Sequence, residues 1–170
     1  ANQVVPTDVL IDQVWGEEPP DAARNSLQSY VSHLRQALGP GRLEGQSPGY
    51  VLHLEPDELD ASRFELLVRR ARAADGQTDQ AARLLREALG LWRGPAFADL
   101  AAEDSLAGEI ARLDDLRLQA LEERIGADIE SDQHVDVVGE LETLTHEHPL
   151  HEGLWGLLIL ALYRSGRQTD

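Results

Sequence analysis

From residue 57 almost to its last residue, the chain sets apolar side chains three and four positions apart, the spacing that lines one face of an α-helix. No other feature limits the fold as strongly, because a half-buried strand alternates every second residue and cannot carry this pattern. Phe64, Leu67, Val68 and Ala71 share a face of a helix that Asp60 is placed to cap. Ala81, Leu84, Leu85, Ala88 and Trp92 share the inner face of the next, with Thr78 or Asp79 as its cap and Gly94-Pro95 as its stop. A long helix is expected from about Glu103 to Ile129, followed by Val135 to His146 and Glu152 to Arg164. The last carries Leu154, Trp155, Leu157, Leu158, Ile159, Leu160 and Leu162, apolar almost all round, and so should be covered on several sides.

A longer period lies over the helices. Helix pairs recurring about every 34 residues, with large and small side chains interlocking, mark tetratricopeptide-type repeats. A repeat begun at Glu152 places Trp155, Leu158, Tyr163 and Gly166 at the pattern positions. One period earlier come Leu121, Ile125, Val137, Leu141, Leu144 and Pro149. A unit from about Ser62 supplies Val68, Gly76, Ala81, Leu85 and Ala88, with an insertion, Ala96 to Arg117, after it. An ordinary antiparallel bundle is the plainer arrangement of the same helices. Trp92, Trp155 and Tyr163 are expected in the core rather than against a ligand. The second helix of the third unit would begin where the chain stops at Asp170, so truncation is expected there.

Residues 1–55 have a different texture, and the boundary is expected at Glu55-Pro56-Asp57. Pro6-Thr7-Asp8 starts a short helix through Leu10, Ile11, Val14 and Trp15, with Thr7 as its cap. The loop Gly16-Glu17-Glu18-Pro19-Pro20-Asp21 breaks it, and Asp21 is placed to cap a second helix running to Leu38. Ala23, Leu27, Tyr30, Val31, Leu34 and Leu38 form the apolar side of that helix, and Gly39-Pro40-Gly41 ends it. Pro48-Gly49 turns a hairpin between Arg42-Leu43-Glu44 and Tyr50 to Leu54. Helix, acidic loop, helix, hairpin is an order used by winged-helix domains.

Composition removes several functions. With no cysteine, the chain has no disulfide framework, zinc ribbon or cysteine nucleophile. No apolar run reaches membrane-spanning length and nothing reads as a signal peptide. A formal charge of −16 argues against a surface that binds nucleic acid or anionic lipid throughout. All 15 cationic side chains are arginine. Methionine is missing as well, so an excised piece of a longer protein is expected. No glycine-rich phosphate loop, nucleophile elbow or His-Glu-x-x-His signature suggests an enzyme. Carboxylates beside arginines, such as Asp79 with Arg83 and Glu122 with Arg124, read as solvated helix faces. His146, His148 and His151, with Glu147 and Glu152, straddle Pro149 and do not share a helix face, so no metal and no other cofactor is expected.

The segments VLIDQVWGEEPPDAARNSLQSYVSHLRQALG, SPGYVL, LDASRFELLVRRAR, EALGLWRG and HPLHEGLWGLLILALYRSGR, in that order, closely resemble the antibiotic regulatory activators of actinobacteria. Those proteins join an OmpR-type winged helix to a tetratricopeptide-like bacterial transcriptional activator domain. The resemblance covers essentially the whole chain. It implies a mainly α fold: a partial winged helix-turn-helix with a C-terminal β-hairpin over residues 1–55, then a tetratricopeptide-like α-helical repeat domain over 57–170. In the family a small sheet and a first helix precede the stretch that Ala1 to Pro6 matches. The winged helix is therefore expected to be incomplete, and to be distorted, swapped or propped.

The resemblance also names sites. The helix 22–38 matches the recognition helix, whose outward face carries Arg24, Asn25, Gln28, Ser29, Ser32, His33, Arg35 and Gln36. Ser29, Ser32, His33 and Arg35 fall at contact positions, although Ser32 and His33 stand where relatives often hold arginine. Gln46-Ser47 replaces the basic pair many relatives carry ahead of Pro-Gly-Tyr. Residues 1–55 hold three arginines against seven acidic side chains, so weak DNA binding is expected of this part alone. Glu17, Glu18 and Asp21 occupy the loop that touches RNA polymerase in OmpR-like activators; a solvated turn is their plainer reading.

Together these point to a cytoplasmic transcriptional activator of secondary-metabolite genes, binding direct repeats in promoter DNA as a homodimer and recruiting RNA polymerase through its sigma factor. A protein-interaction module with a silent winged helix is the alternative. A third reading, a ligand sensor with a small molecule on the concave helical surface, uses the same repeats.

Overall fold

A computed structural model of the chain describes residues 2–55, 57–74, 76–100, 104–131 and 136–166. It is mainly helical, with a small antiparallel sheet near the N-terminus, and it divides into two compact units, Ala1–Leu59 and Asp60–Asp170.

The first unit runs β1 (Val5–Pro6), α1 (Thr7–Trp15), α2 (Ala23–Leu38), β2 (Leu43–Gln46) and β3 (Gly49–Leu52). The sheet order is β1-β3-β2 with both pairings antiparallel, Val5 opposite Tyr50 and Gln46 opposite Gly49. β1 had no signature in the sequence, being two residues long. Its position is secured by Asn2, whose carboxamide accepts from the Leu54 N–H and donates to the Leu54 carbonyl, both at 2.9 Å. Only glycine fits at Gly49, because a Cβ there would lie 1.8 Å from the Val5 carbonyl oxygen. Val5–Pro6 thus contributes a strand, and the hairpin keeps regular register.

Three caps read from the sequence are corrected. α1 follows Pro6, whose fixed φ suits a helix start, and Thr7 Oγ1 instead donates to the Pro48 carbonyl at 3.1 Å. α2 begins one turn-residue later than Asp21 allows, with Ala22 at its cap position and no side-chain cap. Thr78 and Asp79 do not cap α4 either: Gln77 holds that position, while Thr78 donates to Glu130 at 3.4 Å and Asp79 accepts from Ser131 at 3.2 Å. α2 stops at Gly39, which takes φ +86°, a left-handed value that suits glycine.

The second unit comprises α3 (Asp60–Arg72), α4 (Thr78–Leu89), α5 (Ala107–Glu130), α6 (Val138–Glu147) and α7 (Glu152–Arg164), with short 3-10 turns at Ala98–Leu100 and Asp104–Leu106. The expected helix starts at Glu103 and Val135, and Pro56 at the expected boundary, lie outside the described residues. α5 serves two cores. Its Leu113 and Ala120 pack with Phe64, Leu67, Val68 and Ala71 of α3 and with Leu85 and Ala88 of α4. Its Ile125 and Ile129 pack with Val138, Leu141 and Leu144 of α6 and with Leu154, Leu158 and Ala161 of α7. Much of the segment read as an insertion thus belongs to α5, which it extends onto the first core.

Two aromatic assignments fail. Trp92 packs edge-on against Phe64, centroids 5.5 Å apart, with the Arg117 guanidinium over its ring. Trp155, however, lies on the flank of the face formed by Leu154, Leu158 and Ala161, its indole N–H donating to the Pro149 carbonyl at 3.0 Å, and Tyr163 lies opposite that face; they are 43% and 66% exposed. α7 is apolar nearly all round, but among the described residues it packs on α5 and α6 through the face of Leu154, Leu158 and Ala161.

The solvated-face reading of Arg124 also fails. Arg124 is largely buried and donates to Asp128 at 3.0 Å and to Glu140, while Asp128, itself 4% exposed, also accepts from Arg86. This network ties α4, α5 and α6. Burial opposes the Arg124 charge, and the two carboxylates more than offset that, holding its pKa above the ordinary arginine value.

Candidate nucleic-acid interface

α2 has two faces of different chemistry. Ala23, Leu27 and Val31, spaced by four, are buried, and with Val51 of β3 they are the buried apolar residues of the first unit among those described. At about 100° per residue, Asn25, Ser29, Ser32 and Gln36 point the opposite way. All four are exposed, as are Arg24, Gln28, His33 and Arg35. The structure therefore gathers Asn25, Ser29 and Ser32 into one polar stripe on α2, with Gln36 continuing it. His33 lies on one flank. Gln28 lies on the other, beside Arg24 and Arg35.

Both flanking arginines are engaged. Arg24 donates to Asp8 of α1 at 2.6 Å, and the Arg35 Nε donates to the Leu43 carbonyl of β2 at 2.8 Å. Arg35 thus ties the helix to the hairpin and sets where the hairpin turn stands beside it. Arg42, the third arginine of this unit, donates to Glu58 at 2.5 Å through one amino group and binds the same carboxylate through the other. Arg42 and the backbone N–H of Glu55 hold the Glu58 carboxyl below its ordinary pKa, against slight desolvation. Within the stripe, Ser29 Oγ donates to the Asn25 carbonyl at 3.1 Å, which leaves its lone pairs as acceptors. Among the described residues no hydrogen bond engages the carboxamides of Asn25 or Gln28.

Gln46 and Ser47 stand at the hairpin turn, both exposed, where the Ser47–Pro48 peptide is cis. The turn is fastened to the start of α1, since Pro48 accepts from both the backbone N–H and the hydroxyl of Thr7. Glu17, Glu18 and Asp21 lie exposed on the loop between α1 and α2, and no ion pair engages them among the described residues. Asp8 and Thr7 were missed as parts of this surface. Nothing in their spacing signals it, because each acts on a residue brought near only by the fold.

An amphipathic helix set across a second helix, with its polar side free and a fastened hairpin beside it, defines a winged-helix DNA reader; joined to repeat helices, it is the architecture of a transcriptional regulator. The comparisons agree. Residues 1–52 match the transcriptional regulatory protein C-terminal family, and residues 59–170 match the bacterial transcriptional activator domain. The chain is 37% identical to the regulatory protein DnrI of Streptomyces peucetius, covering all of this chain and 67% of that protein. It is 42% identical to the regulatory protein AfsR of Streptomyces griseus over 95% of this chain and 17% of that protein. A solved structure of Mycobacterium tuberculosis EmbR in complex with a low-affinity phosphopeptide matches with a TM-score of 0.94 and 37% identity, over 99% of this chain and 47% of that one. The chain belongs to the antibiotic regulatory family of transcriptional regulators.

No helix among the described residues is long and apolar enough to cross a membrane.

Proposed function

We propose that this chain supplies the DNA-reading and helical parts of a transcriptional activator of secondary-metabolite genes. α2 enters the major groove of promoter DNA, with Asn25, Gln28, Ser29, Ser32 and His33 at the bases. Arg24 and Arg35 lie toward the phosphates, and Gln46 and Ser47 at the adjacent groove. The single observation that carries this reading is the free polar stripe on α2, opposite the buried Ala23, Leu27 and Val31. Family membership supports it. The protein acts in the cytoplasm as a homodimer on direct repeats, and Glu17, Glu18 and Asp21 face a basic surface of RNA polymerase or its sigma factor. Three exposed carboxylates on a proline-stiffened loop suit such a surface.

The test is fluorescence anisotropy of the protein on its own promoter duplex and on a scrambled duplex, from about 50 to 200 mM salt. Each phosphate neutralised contributes a slope of roughly −0.9 in log affinity against log salt. The expected result is a preference for the promoter with a shallow slope, because the three arginines of this unit already have partners. No promoter preference even at low salt would refute the reading. It would favour instead a protein-interaction module, for which the exposed Trp155, Ile159 and Tyr163 of α7 offer an apolar face.

A further inference from the structure

The composition of the stripe on α2 bears on which bases it reads. Resting on the proposed entry of α2 into the major groove, we infer that each half-site presents two successive A·T pairs, whose adenines are read by Asn25 and Gln28.

Guanine shows two acceptors in the major groove, N7 and O6, and is matched by a fork of donors such as a guanidinium. Adenine shows one acceptor, N7, and one donor, the N6 amino group. A carboxamide carries one of each and is its bidentate complement. The outward stripe of α2 and its edge at Gln28 carry carboxamides and hydroxyls. The two guanidinium groups beside Gln28 are engaged, Arg24 with Asp8 at 2.6 Å and Arg35, through Nε, with the Leu43 carbonyl at 2.8 Å. The Asn25 and Gln28 carboxamides are exposed and make no hydrogen bond among the described residues. Three residues of helix rise span about 4.5 Å, close to the spacing of stacked base pairs, so the two side chains address neighbouring pairs rather than one. Both stand in the first turns of α2, the end that meets base edges in helix-turn-helix complexes. Ser29, its proton given to the Asn25 carbonyl, can accept from an exocyclic amino group beside them.

The experiment is selection of randomised duplexes by the wild-type protein and by the variants Asn25→Ala, Gln28→Ala and Gln28→Arg, with sequencing of the retained pool. Two adjacent adenines on one strand of each half-site should dominate the wild-type pool. Asn25→Ala and Gln28→Ala should each erase one of them. Gln28→Arg should convert its adenine to guanine. On the selected site each alanine variant should bind about tenfold more weakly, with affinity for unrelated duplex unchanged. Both positions are exposed on the helix surface, and circular dichroism of each of the three variants checks that the fold is unchanged. Guanine at both positions in the wild-type pool, or a pool unaltered by both alanine variants, would overturn the inference while leaving DNA reading intact. If the wild-type protein retains no sequence above background, the proposed function itself fails, and this inference with it.

Discussion

The two units are stabilised in different ways. Among the described residues the reader buries four apolar side chains, Ala23, Leu27, Val31 and Val51, whereas the repeat unit buries two clusters of eight and nine residues. Val9, Val14, Tyr30, Leu34 and Leu38 of the reader remain about half exposed, and α1 buries no residue. What the reader lacks in core it partly replaces with specific polar ties: Asn2 to Leu54, Thr7 to Pro48, Arg35 to Leu43 and Arg42 to Glu58. Apolar packing falls off gradually when one methyl is lost. A polar tie is present or absent, and a hydrogen bond to a backbone group such as those of Asn2, Thr7 and Arg35 is worth about 1 kcal/mol. The reader is thus shaped more by geometry than by burial, and the helical unit by burial.

Substitutions can break that comparison, beginning with the repeat unit. Leu141→Ala removes a fully buried side chain from the second core and should cost about 3–5 kcal/mol by denaturant unfolding. Leu27→Ala in the reader should cost less, about 2–3 kcal/mol, because the surrounding core is thinner and collapses more readily. Equal losses at the two sites would contradict the contrast. Asp128→Ala should cost about 3 kcal/mol, since it strips the largely buried Arg124 of one of its two carboxylates. A loss below 1 kcal/mol, the range of an exposed pair, would place Asp128 outside the core's support.

In the reader the expected effects concern binding more than stability. Asp8→Asn releases Arg24 from an exposed ion pair and should raise DNA affinity about two- to fivefold at low salt, with a salt slope steeper by up to one. Unchanged affinity would mean that Arg24 stays away from phosphate. The smallest effect is acid dependence at Glu58. Its folded pKa lies below the ordinary value of 4.5, so its contribution is complete above that pH and is lost as pH falls through the folded value. Glu58→Gln should therefore lower the reader's stability slightly at neutral pH and flatten the acid side of its curve, the two proteins converging as pH falls through the folded value.

Most of the helical unit was legible because repeat spacing and burial coincide. Val68, Leu85, Ala88, Ile125, Leu141 and Leu144 stand where the period put them and are buried. Trp155 and Tyr163 obey the same spacing and are exposed, since a pattern marks a face but does not supply what packs on it. The network at Asp128 could not be read, because Arg86, Arg124 and Glu140 come from three helices and an acid beside an arginine on one helix usually means water. β1 was invisible for another reason: two residues cannot show an alternation, and its pairing depends on Asn2 and Gly49, distant in sequence. At the interface the polar face of α2 was plain from spacing. That its arginines are held aside by Asp8 and the Leu43 carbonyl was not.

The central claim is that the stripe through Ser32 faces the major groove. The chain contains no cysteine, so Ser32→Cys places one thiol on that stripe, to which a DNA-cleaving chelate can be attached. On the promoter duplex, cleavage should fall in one short major-groove stretch in each half-site. A protein that stays bound to the promoter while the chelate at residue 32 leaves both half-sites intact would contradict the account.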